Sequence, residues 1–349
     1  MLWLVPHLYA DPRLLDALAR RLHAPGLATL LARGVPVPGP DEGVEAALCE
    51  ALGIVRQQDW PLAPITLRAD GGDAGDAYWL RADPVALQLM RDRVVLTDPG
   101  ALALTPEEAR LLATAIGEHF GTDFHPLPLH PHRWYLRCPQ PPDLTTTPLS
   151  VASGRAIAPL LPRGADAGAF RARLNELQML LHAHPLNAAR EARGLAPINS
   201  VWLWGGGVGQ QPAAAARTIY AADAEVLALA RAAGAASHVL PPRLEGTLLA
   251  GSGVILLDTL TPAGLQGDAA GWRQALDVLE RDWFAPLAAA LHKLGPEGLR
   301  LIDPVSGRGL TLRRADAWKL WRRPRKLASM LAGQGEAGRA GGSSGTMLG

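Results

Sequence analysis

Short apolar runs alternate with longer amphipathic stretches along this chain. Five runs have the length of a strand, and they cover residues 2–5, 94–96, 201–204, 254–257 and 299–302. The stretches between them repeat apolar residues at three- and four-residue spacing, which is the pattern of one buried helix face. Strands that alternate with helices favour a parallel sheet covered on both faces. The pattern therefore predicts an α/β fold with a mostly parallel sheet flanked by helices.

Two helices can be placed from their sequence signals. Thr105-Pro-Glu-Glu108 is a capping box with proline at the first helical position, and it predicts a helix that runs to Phe120. A second, long helix is expected from Gly271 to about His292. Both helices lie between predicted strands, as the α/β pattern requires.

Length and composition set the domain organisation. The chain has 349 residues, of which 48% are hydrophobic, so it can bury a substantial core without disulfides or metal ions. We expect one α/β domain over residues 1–332, with room for a subdomain inserted over about residues 64–148. Residues 333–349 are rich in glycine, serine and alanine, and they predict a disordered tail.

Charge and cysteine content exclude several classes of protein. The formal net charge of +1 argues against a dedicated nucleic-acid binder. Cys49 and Cys138 are too few for a disulfide scaffold or a cysteine zinc site, and reduced cysteines suit the cytosol. No window has the apolar length of a membrane helix, and the N-terminus does not have the pattern of a signal peptide. We therefore expect a cytoplasmic protein that binds neither membrane nor nucleic acid.

A basic segment near the C-terminus combines arginines and lysines with Trp318 and Trp321. It contains Arg313, Arg314, Lys319, Arg322, Arg323, Arg325 and Lys326. Interleaved aromatic and basic residues are typical of nucleic-acid surfaces. The neutral charge of the whole chain favours a different interpretation, a solvated terminal helix whose tryptophans pack on the core.

The most polar part of the chain is the stretch over residues 184–207. If its first turns are helical, Asn187, Arg190 and Arg193 share one face, because they are spaced three apart. The strand over residues 201–204 then stops at a glycine-rich turn. Such turns let backbone N–H groups approach a ligand, and α/β sheets place their sites at the carboxyl ends of strands.

The guanidinium groups in this stretch suit a carboxylate or a phosphate. The candidate ligand-binding residues are His184, Asn187, Arg190, Arg193, Asn199, Trp204, Gly205 and Gly207. The alternative is a structural helix–turn–strand unit with arginines in salt bridges, and the residue types alone do not separate the two.

Other chemistry-bearing motifs are missing. The closest histidine pairs, His130 with His132 and His182 with His184, are two residues apart and lack accompanying metal-ligand patterns. No Walker loop, nucleophile elbow or dinucleotide fingerprint is present. We therefore assign no catalytic residue, no metal ligand and no cofactor.

The 184–207 stretch contains the pattern H-P-x-N-x-x-R…G-x-x-P-x-N-x-x-W-x-W-G-x-G, which resembles the archaeal-type, cofactor-independent phosphoglycerate mutases of the alkaline-phosphatase superfamily. From residue 1 to about 327 the chain resembles more closely the RpfE-type regulatory protein family, bacterial relatives of those mutases. The further motifs that match are Trp79-Leu-Arg-Ala-Asp-Pro-Val85, Arg133-Trp-Tyr135, Asn175-Glu-Leu-Gln-Met179 and Trp321-Arg-Arg-Pro324. The resemblance implies an alkaline-phosphatase-like fold.

The resemblance to the mutases also implies two metal ions and a serine nucleophile. This chain departs from that pattern at four places. Where the mutases have Asp-Gly, Ser-Asp, Gly-His and Asp-His-Ser-Thr-Pro, it has Pro6-His7, Val44-Glu45, Gly264-Leu265 and Ile302-Asp303-Pro304-Val-Ser306. The implied catalytic centre is therefore expected to be lost.

Together these features predict a non-catalytic, phosphoglycerate-mutase-like protein with a regulatory or ligand-sensing role. Its expected ligand is a small phosphorylated or carboxylate metabolite, with Trp202 or Trp204 packed against the pocket. One alternative is an active phosphoglycerate mutase or phosphatase with a rearranged metal site that uses Asp258, Asp303 or His7. Another is an adaptor that binds a regulatory protein partner in signalling or virulence regulation.

Overall fold

The computed structural model describes residues 1–10, 12–18, 22–90, 93–97, 102–210 and 217–332. Its strands are β1 (Leu2–Leu4), β2 (Val35–Pro38), β3 (Tyr78–Val85), β4 (Leu87–Met90), β5 (Arg93–Leu96), β6 (Pro126–His130), β7 (Arg133–Cys138), β8 (Ser200–Val208), β9 (Ile219–Ala221), β10 (Ser237–Val239), β11 (Val254–Leu256), β12 (Leu299–Asp303) and β13 (Arg308–Leu312). Its α-helices are α1 (Pro12–Leu18), α2 (Pro25–Arg33), α3 (Val44–Ala51), α4 (Leu62–Ala69), α5 (Pro106–Phe120), α6 (Leu149–Ala152), α7 (Ala167–His182), α8 (Pro185–Ala192), α9 (Ala224–Ala232), α10 (Thr261–Gln266), α11 (Ala269–Leu279), α12 (Ala285–Ala289) and α13 (Leu327–Ala332).

The chain divides into two compact units. The first contains Met1–Asp41 and the described residues from Leu240 onward, and the second contains Glu42–Val239. The stretch over about residues 64–148, predicted as an inserted subdomain, falls within the second unit. The tail predicted over residues 333–349 lies outside the described residues.

The first unit is built on parallel strands. β1 pairs in parallel with β11 on one side and with β12 on the other. β12 continues into the antiparallel pairs β12–β13 and β13–β2. Trp3 and Leu4 of β1 are fully buried, as expected for a central strand covered on both faces. The predicted α/β fold, a mostly parallel sheet flanked by helices, is confirmed.

The long helix predicted over residues 271–292 is interrupted. A π turn at Glu280–Phe284 joins α11 to α12. The Glu280 carboxylate is buried and accepts hydrogen bonds from Gly26 N at 2.6 Å and Leu27 N at 3.0 Å. These are the free N–H groups at the start of α2, so the carboxylate caps that helix and complements its dipole.

The second unit is dominated by antiparallel pairing. A four-stranded sheet has the order β6-β7-β3-β8, and β4 and β5 form a separate two-stranded ribbon. The strands predicted over residues 94–96 and 201–204 are both in this unit, in β5 and β8. Strands β9 and β10 are an exception in this unit, because they pair in parallel. Antiparallel strands can be joined by short hairpins, whereas parallel strands need a longer crossover connection.

The capping box that predicted α5 is present. Thr105 Oγ1 accepts a hydrogen bond from Glu108 N at 3.2 Å, and the Glu108 carboxylate accepts one from Thr105 N at 3.1 Å. α5 runs from Pro106 to Phe120, which confirms both predicted ends. Its apolar face, which includes Leu112, packs into the core of the second unit.

We expect Gly26→Ala to destabilise the first unit. A Cβ atom at Gly26 would lie 2.5 Å from Ala285 Cα and 2.6 Å from Ala285 N, so the backbones of α2 and α12 would have to separate. Overpacking of this kind costs about 1–3 kcal/mol in the free energy of unfolding. Urea denaturation followed by circular dichroism measures the change.

Gly168→Ala is the matched control, because a Cβ atom at Gly168 on α7 has no neighbour within 4 Å. Alanine has less backbone freedom than glycine in the unfolded chain. Gly168→Ala is therefore expected to leave the free energy of unfolding unchanged or to raise it by about 0.5–1 kcal/mol. Equal stability of the two variants would contradict the close approach of α2 and α12.

Candidate functional site

The predicted ligand-binding stretch folds as a helix, a turn and a strand in the second unit. His184 precedes α8, and its Nδ1 accepts a hydrogen bond from Leu186 N at 3.2 Å. Asn187 is buried, and its Nδ2 donates to Leu181 O and Ile198 O, each at 2.8 Å. Its Oδ1 accepts from Ile198 N at 2.8 Å. Asn187 therefore ties α8 to the chain that enters β8.

The two arginines of this stretch meet at one carboxylate. Arg190 is fully buried and donates to Ala196 O at 3.0 Å, to Leu102 O and to Glu108 Oε2 at 2.8 Å. Arg193 is half exposed and contacts the other oxygen, Glu108 Oε1, at 2.5 Å. Burial opposes ionisation of Glu108, but the Thr105 backbone hydrogen bond and both guanidinium groups hold its pKa below the usual value.

The glycines of this stretch lie inside β8, so the prediction of a glycine-rich turn at the end of the strand is wrong. Trp79 pairs with Gly207 while Arg81 pairs with Trp204, so β8 has one extra residue in a β-bulge. Gly205 supplies the positive φ of +67° that this bulge needs. The bulge accommodates the extra residue, and the pairing of β8 with β3 continues on its far side, so the strand runs to Val208.

Gly207 also allows close packing, since a Cβ atom there would clash with Pro61 beside α4. Asn199 clamps the start of β4, because its Oδ1 accepts from Leu87 N and its Nδ2 donates to Leu87 O, each at 2.8 Å. The polar side chains among the candidate residues of this stretch are thus engaged with protein groups. Ligand binding by these residues stays a prediction.

Trp204 belongs to a buried ion-pair cluster. Its Nε1 donates to Asp83 at 2.7 Å, and its ring lies 4.9 Å from the Arg81 guanidinium. Arg81 and Asp83 form a two-pronged pair at 2.8 and 2.7 Å, and Trp134 N donates to the same carboxylate at 3.1 Å. Burial would lower the pKa of Arg81, but the charge of Asp83 raises it. Burial raises the pKa of Asp83, and the charge and hydrogen bonds of Arg81 oppose that shift.

A neighbouring pair extends this cluster. Arg133 donates to Asp70 at 2.8 and 2.6 Å and contacts Glu225 at 2.6 Å. Tyr135 Oη donates to Asp70 at 2.5 Å. The hydrogen bonds from Arg133 and Tyr135 overcome the effect of burial and lower the pKa of Asp70. The motifs around residues 81, 133 and 204 therefore converge, and their charged groups are matched to one another.

In the first unit, Asp303 organises the carboxyl ends of β1 and β12. Its Oδ1 accepts from His7 N at 3.1 Å and Val305 N at 2.9 Å, and its Oδ2 accepts from Tyr9 N and Ser306 Oγ, each at 3.0 Å. Burial raises the pKa of Asp303, and these donors oppose that shift. One carboxylate thus holds together the loops that follow two neighbouring parallel strands.

A cavity of about 980 Å³ in the first unit is lined by arginines. Arg308, Arg322, Arg323 and Arg325 contribute to its wall together with Tyr9, and among the described residues no aspartate or glutamate does. The Arg308 guanidinium lies 3.9 Å from the Tyr9 ring and donates to a backbone carbonyl at 2.7 Å. Burial raises the pKa of Tyr9 to about 12, so its hydroxyl stays protonated at neutral pH.

The sequence pattern does not predict this cavity, because it favours a terminal helix whose tryptophans pack on the core. That prediction is wrong. A 3₁₀ turn at Arg314–Trp318 is followed by irregular chain up to α13, and Trp318 and Trp321 are 71% and 73% exposed. Pro324 explains part of the difference, since proline cannot donate within a helix and disfavours helical geometry at the residue before it.

Comparisons with known proteins give partial matches to one enzyme class. No family model matches the chain. It is 32% identical over 203 residues to a probable 2,3-bisphosphoglycerate-independent phosphoglycerate mutase of Geobacter sulfurreducens, covering 55% of this chain and 48% of that protein. It is 40% identical over 65 residues to the mutase of Methanothrix thermoacetophila, covering 19% of this chain and 17% of that protein. The chain therefore spans less than half the length of these curated relatives.

Two solved structures align with most of this chain at low sequence identity. A cofactor-independent phosphoglycerate mutase from Thermoplasma acidophilum aligns with a TM-score of 0.43 and 16% identity over 94% of this chain and 93% of that one. A protein from Pyrococcus horikoshii aligns with a TM-score of 0.45 and 15% identity over 90% of this chain and 88% of that one. The relatives found by sequence are phosphoglycerate mutases, and the similarity covers part of each chain.

The residues at the carboxyl edge of the first unit do not fit a two-metal centre. Both oxygens of Asp303 already accept two hydrogen bonds each from protein donors, so a cation would have to displace them. His7 follows β1 and Asp258 follows β11 at the same edge. In the described part of the chain, no three His, Cys, Asp or Glu side chains are grouped so as to hold a metal ion.

We expect Arg190→Ala to destabilise the fold strongly. The substitution removes the buried cation beside Glu108 and leaves the Leu102 and Ala196 carbonyls without their side-chain donor, which costs about 3–5 kcal/mol in the free energy of unfolding. Arg193→Ala removes a half-exposed partner of the same carboxylate and should cost about 0–1 kcal/mol. Denaturant titration checks both values. An Arg190→Ala protein of unchanged stability would contradict the structural role.

The lowered pKa of Glu108 predicts a pH-dependent contribution to stability. The ionised carboxylate stabilises the fold fully above its ordinary pKa of 4.5, and this contribution is lost as the pH falls through the lowered value. The difference in unfolding free energy between wild type and Glu108→Gln should therefore be large at neutral pH and shrink as the pH falls below 4.5. Urea titrations across this range measure it, with the exposed Glu107→Gln as control. A pH-independent difference would contradict the assignment.

Proposed function

We propose that this chain is a non-catalytic, phosphoglycerate-mutase-like regulatory protein of the RpfE type, acting in the bacterial cytoplasm. Its proposed ligand is a small phosphorylated or carboxylate metabolite that binds in the arginine-lined cavity of the first unit. The observation that carries the proposal is the set of arginines that face this cavity, whose described lining contains no carboxylate. Both cysteines are free and buried, which suits a reducing compartment.

The chemistry of the cavity favours an anion. A guanidinium group presents a rigid planar fork that binds two oxygens of a phosphate or carboxylate at once. Arg323 and Arg325 form no ion pair with any residue in the described ranges, so their charges are available to a ligand. Tyr9 lines the cavity, and its backbone N–H donates to Asp303 at the end of β12. The cavity therefore lies next to the carboxyl ends of β1 and β12, where α/β sheets commonly bind ligands.

The lack of catalysis is supported by two local features. Val44 begins α3 at the position that the resemblance assigns to the nucleophile, and an apolar side chain cannot attack a phosphoryl group. Asp303 is committed to backbone and serine donors instead of a metal ion. A binding role needs neither group, which is why it fits the geometry better than phosphoryl transfer.

A thermal-shift titration with phosphoglycerate and with inorganic phosphate tests the proposal. Ligand at about 100 times its dissociation constant should add about 2.7 kcal/mol of stability and raise Tm by several degrees. The double variant Arg322→Gln/Arg323→Gln should abolish this rise, because it removes two of the cavity's cations. Arg300→Gln is the matched control, since it removes an arginine of the same unit that does not line the cavity.

Each outcome of this titration is informative. The absence of any rise at millimolar ligand would overturn the binding function. A rise that survives the double variant but is lost in Arg193→Gln would move the site to the 184–207 stretch. Arg193 suits this test because it is exposed, whereas replacing Arg190 would disturb the fold.

A second candidate is an active phosphoglycerate mutase with a rearranged metal site, which the 32% identity to the Geobacter sulfurreducens protein favours. Metal analysis and an assay of phosphoglycerate isomerisation with added manganese separate the two functions. Turnover accompanied by tightly bound metal would overturn the non-catalytic proposal. Ligand-dependent stabilisation without turnover would support it.

A further inference from the structure

An exposed apolar strip lies in the basic segment before α13. It consists of Trp318, Leu320 and Trp321, which are 71%, 67% and 73% exposed, and it is called the Trp strip below. Trp318 and Leu320 do not line the arginine-lined cavity, so the cavity does not account for them. Neighbouring large apolar side chains on a protein surface commonly mark a site of interaction.

The surroundings of the Trp strip are strongly positive. Residues 313–326 contain seven lysines and arginines and one acidic residue, Asp316. Asp316 is buried and already pairs with Lys319 at 2.5 Å. Arg314, Arg323 and Arg325 form no ion pair with the residues that the structure describes. The segment therefore combines exposed apolar side chains with unneutralised positive charge.

We propose that the Trp strip docks the protein on an anionic lipid surface, in contrast to the sequence-based expectation that the protein binds no membrane. Tryptophan prefers the boundary between headgroups and acyl chains, because its ring is apolar while its indole N–H can donate a hydrogen bond to water or to a headgroup. Basic side chains beside it are attracted to anionic headgroups. No helix within the described ranges has the length and apolar character needed to cross a bilayer, so the attachment is peripheral.

The composition of the Trp strip favours lipid over other partners. Single-stranded nucleic acid binds by stacking its bases on aromatic rings, and Leu320, which is as exposed as the tryptophans, offers no ring. The chain as a whole carries a net charge of only +1, whereas nucleic-acid-binding domains are strongly basic. A second copy of the chain would bring a like-charged strip against this one.

Vesicle co-sedimentation of the full chain tests the proposal. We expect binding to vesicles of phosphatidylserine mixed with phosphatidylcholine, little binding to phosphatidylcholine alone, and weakening as salt screens the charges. Trp318→Ala/Leu320→Ala should lower the partition coefficient by at least about tenfold. Arg314→Gln/Arg323→Gln should lower it by about 25-fold, since each basic residue near an anionic surface contributes about fivefold.

The matched control is Leu89→Ala/Met179→Ala, which removes two equally exposed apolar side chains from the second unit. It should bind vesicles like the wild type. Brominated acyl chains should quench tryptophan fluorescence in the wild type, and this quenching should be lost in Trp318→Ala/Trp321→Ala. Quenching that persists in that variant would show that another surface enters the lipid.

Three results would overturn the proposal: equal binding to neutral vesicles, unchanged binding of the strip variants, or binding of single-stranded oligonucleotide in place of vesicles. One variant makes the test independent of the proposed metabolite site, because Trp321 and Arg323 line the cavity but Trp318 and Leu320 do not. Trp318→Ala/Leu320→Ala leaves the cavity wall intact, so its thermal shift with phosphoglycerate should equal that of the wild type.

Discussion

A charged side chain that leaves water must find partners within the fold, because an unpaired buried charge costs several kcal/mol. Two ion pairs of the second unit show how this constraint is met. Arg190 is fully buried, and its guanidinium donates hydrogen bonds to Glu108 and to two backbone carbonyls. Arg81 and Asp83 bind each other through two hydrogen bonds. These pairs connect β3, β7, β8, α5 and α8, so the packing of the unit depends on them. Charges that are satisfied in this way hold the fold together.

The same constraint separates structural from available groups in the first unit. Asp303 is saturated by four protein donors, and it therefore fixes the loops after β1 and β12 instead of offering its oxygens to a cation. Arg323 and Arg325 have no acidic partner in the described chain and face a cavity. Hydrogen bonding within the fold thus accounts for the Asp303 carboxylate, whereas the two arginines keep their charge available.

Both proposals concern the basic segment and share Trp321 and Arg323, but each also uses residues that the other does not. The arginine-lined cavity suits a small anion, whereas Trp318 and Leu320 lie outside its wall and suit a larger apolar surface. Trp321 belongs to the Trp strip and also lines the cavity, and Arg323 and Arg325 line the cavity close to it in the chain.

Local patterns in the sequence determined the elements whose cause is local. The capping box at Thr105 and Glu108 specified the start of α5, and the apolar runs predicted β1, β11 and β12 as strands. The resemblance in the 184–207 stretch pointed to mutase-like relatives, which sequence comparison also finds over part of the chain. Only the tertiary structure decided what the charged residues do. Glu108 lies 82 residues from Arg190 in the chain, and Arg308 meets Tyr9 across almost the whole sequence. Whether an arginine is neutralised or available depends on such distant partners, and residue spacing along the chain carries no information about them.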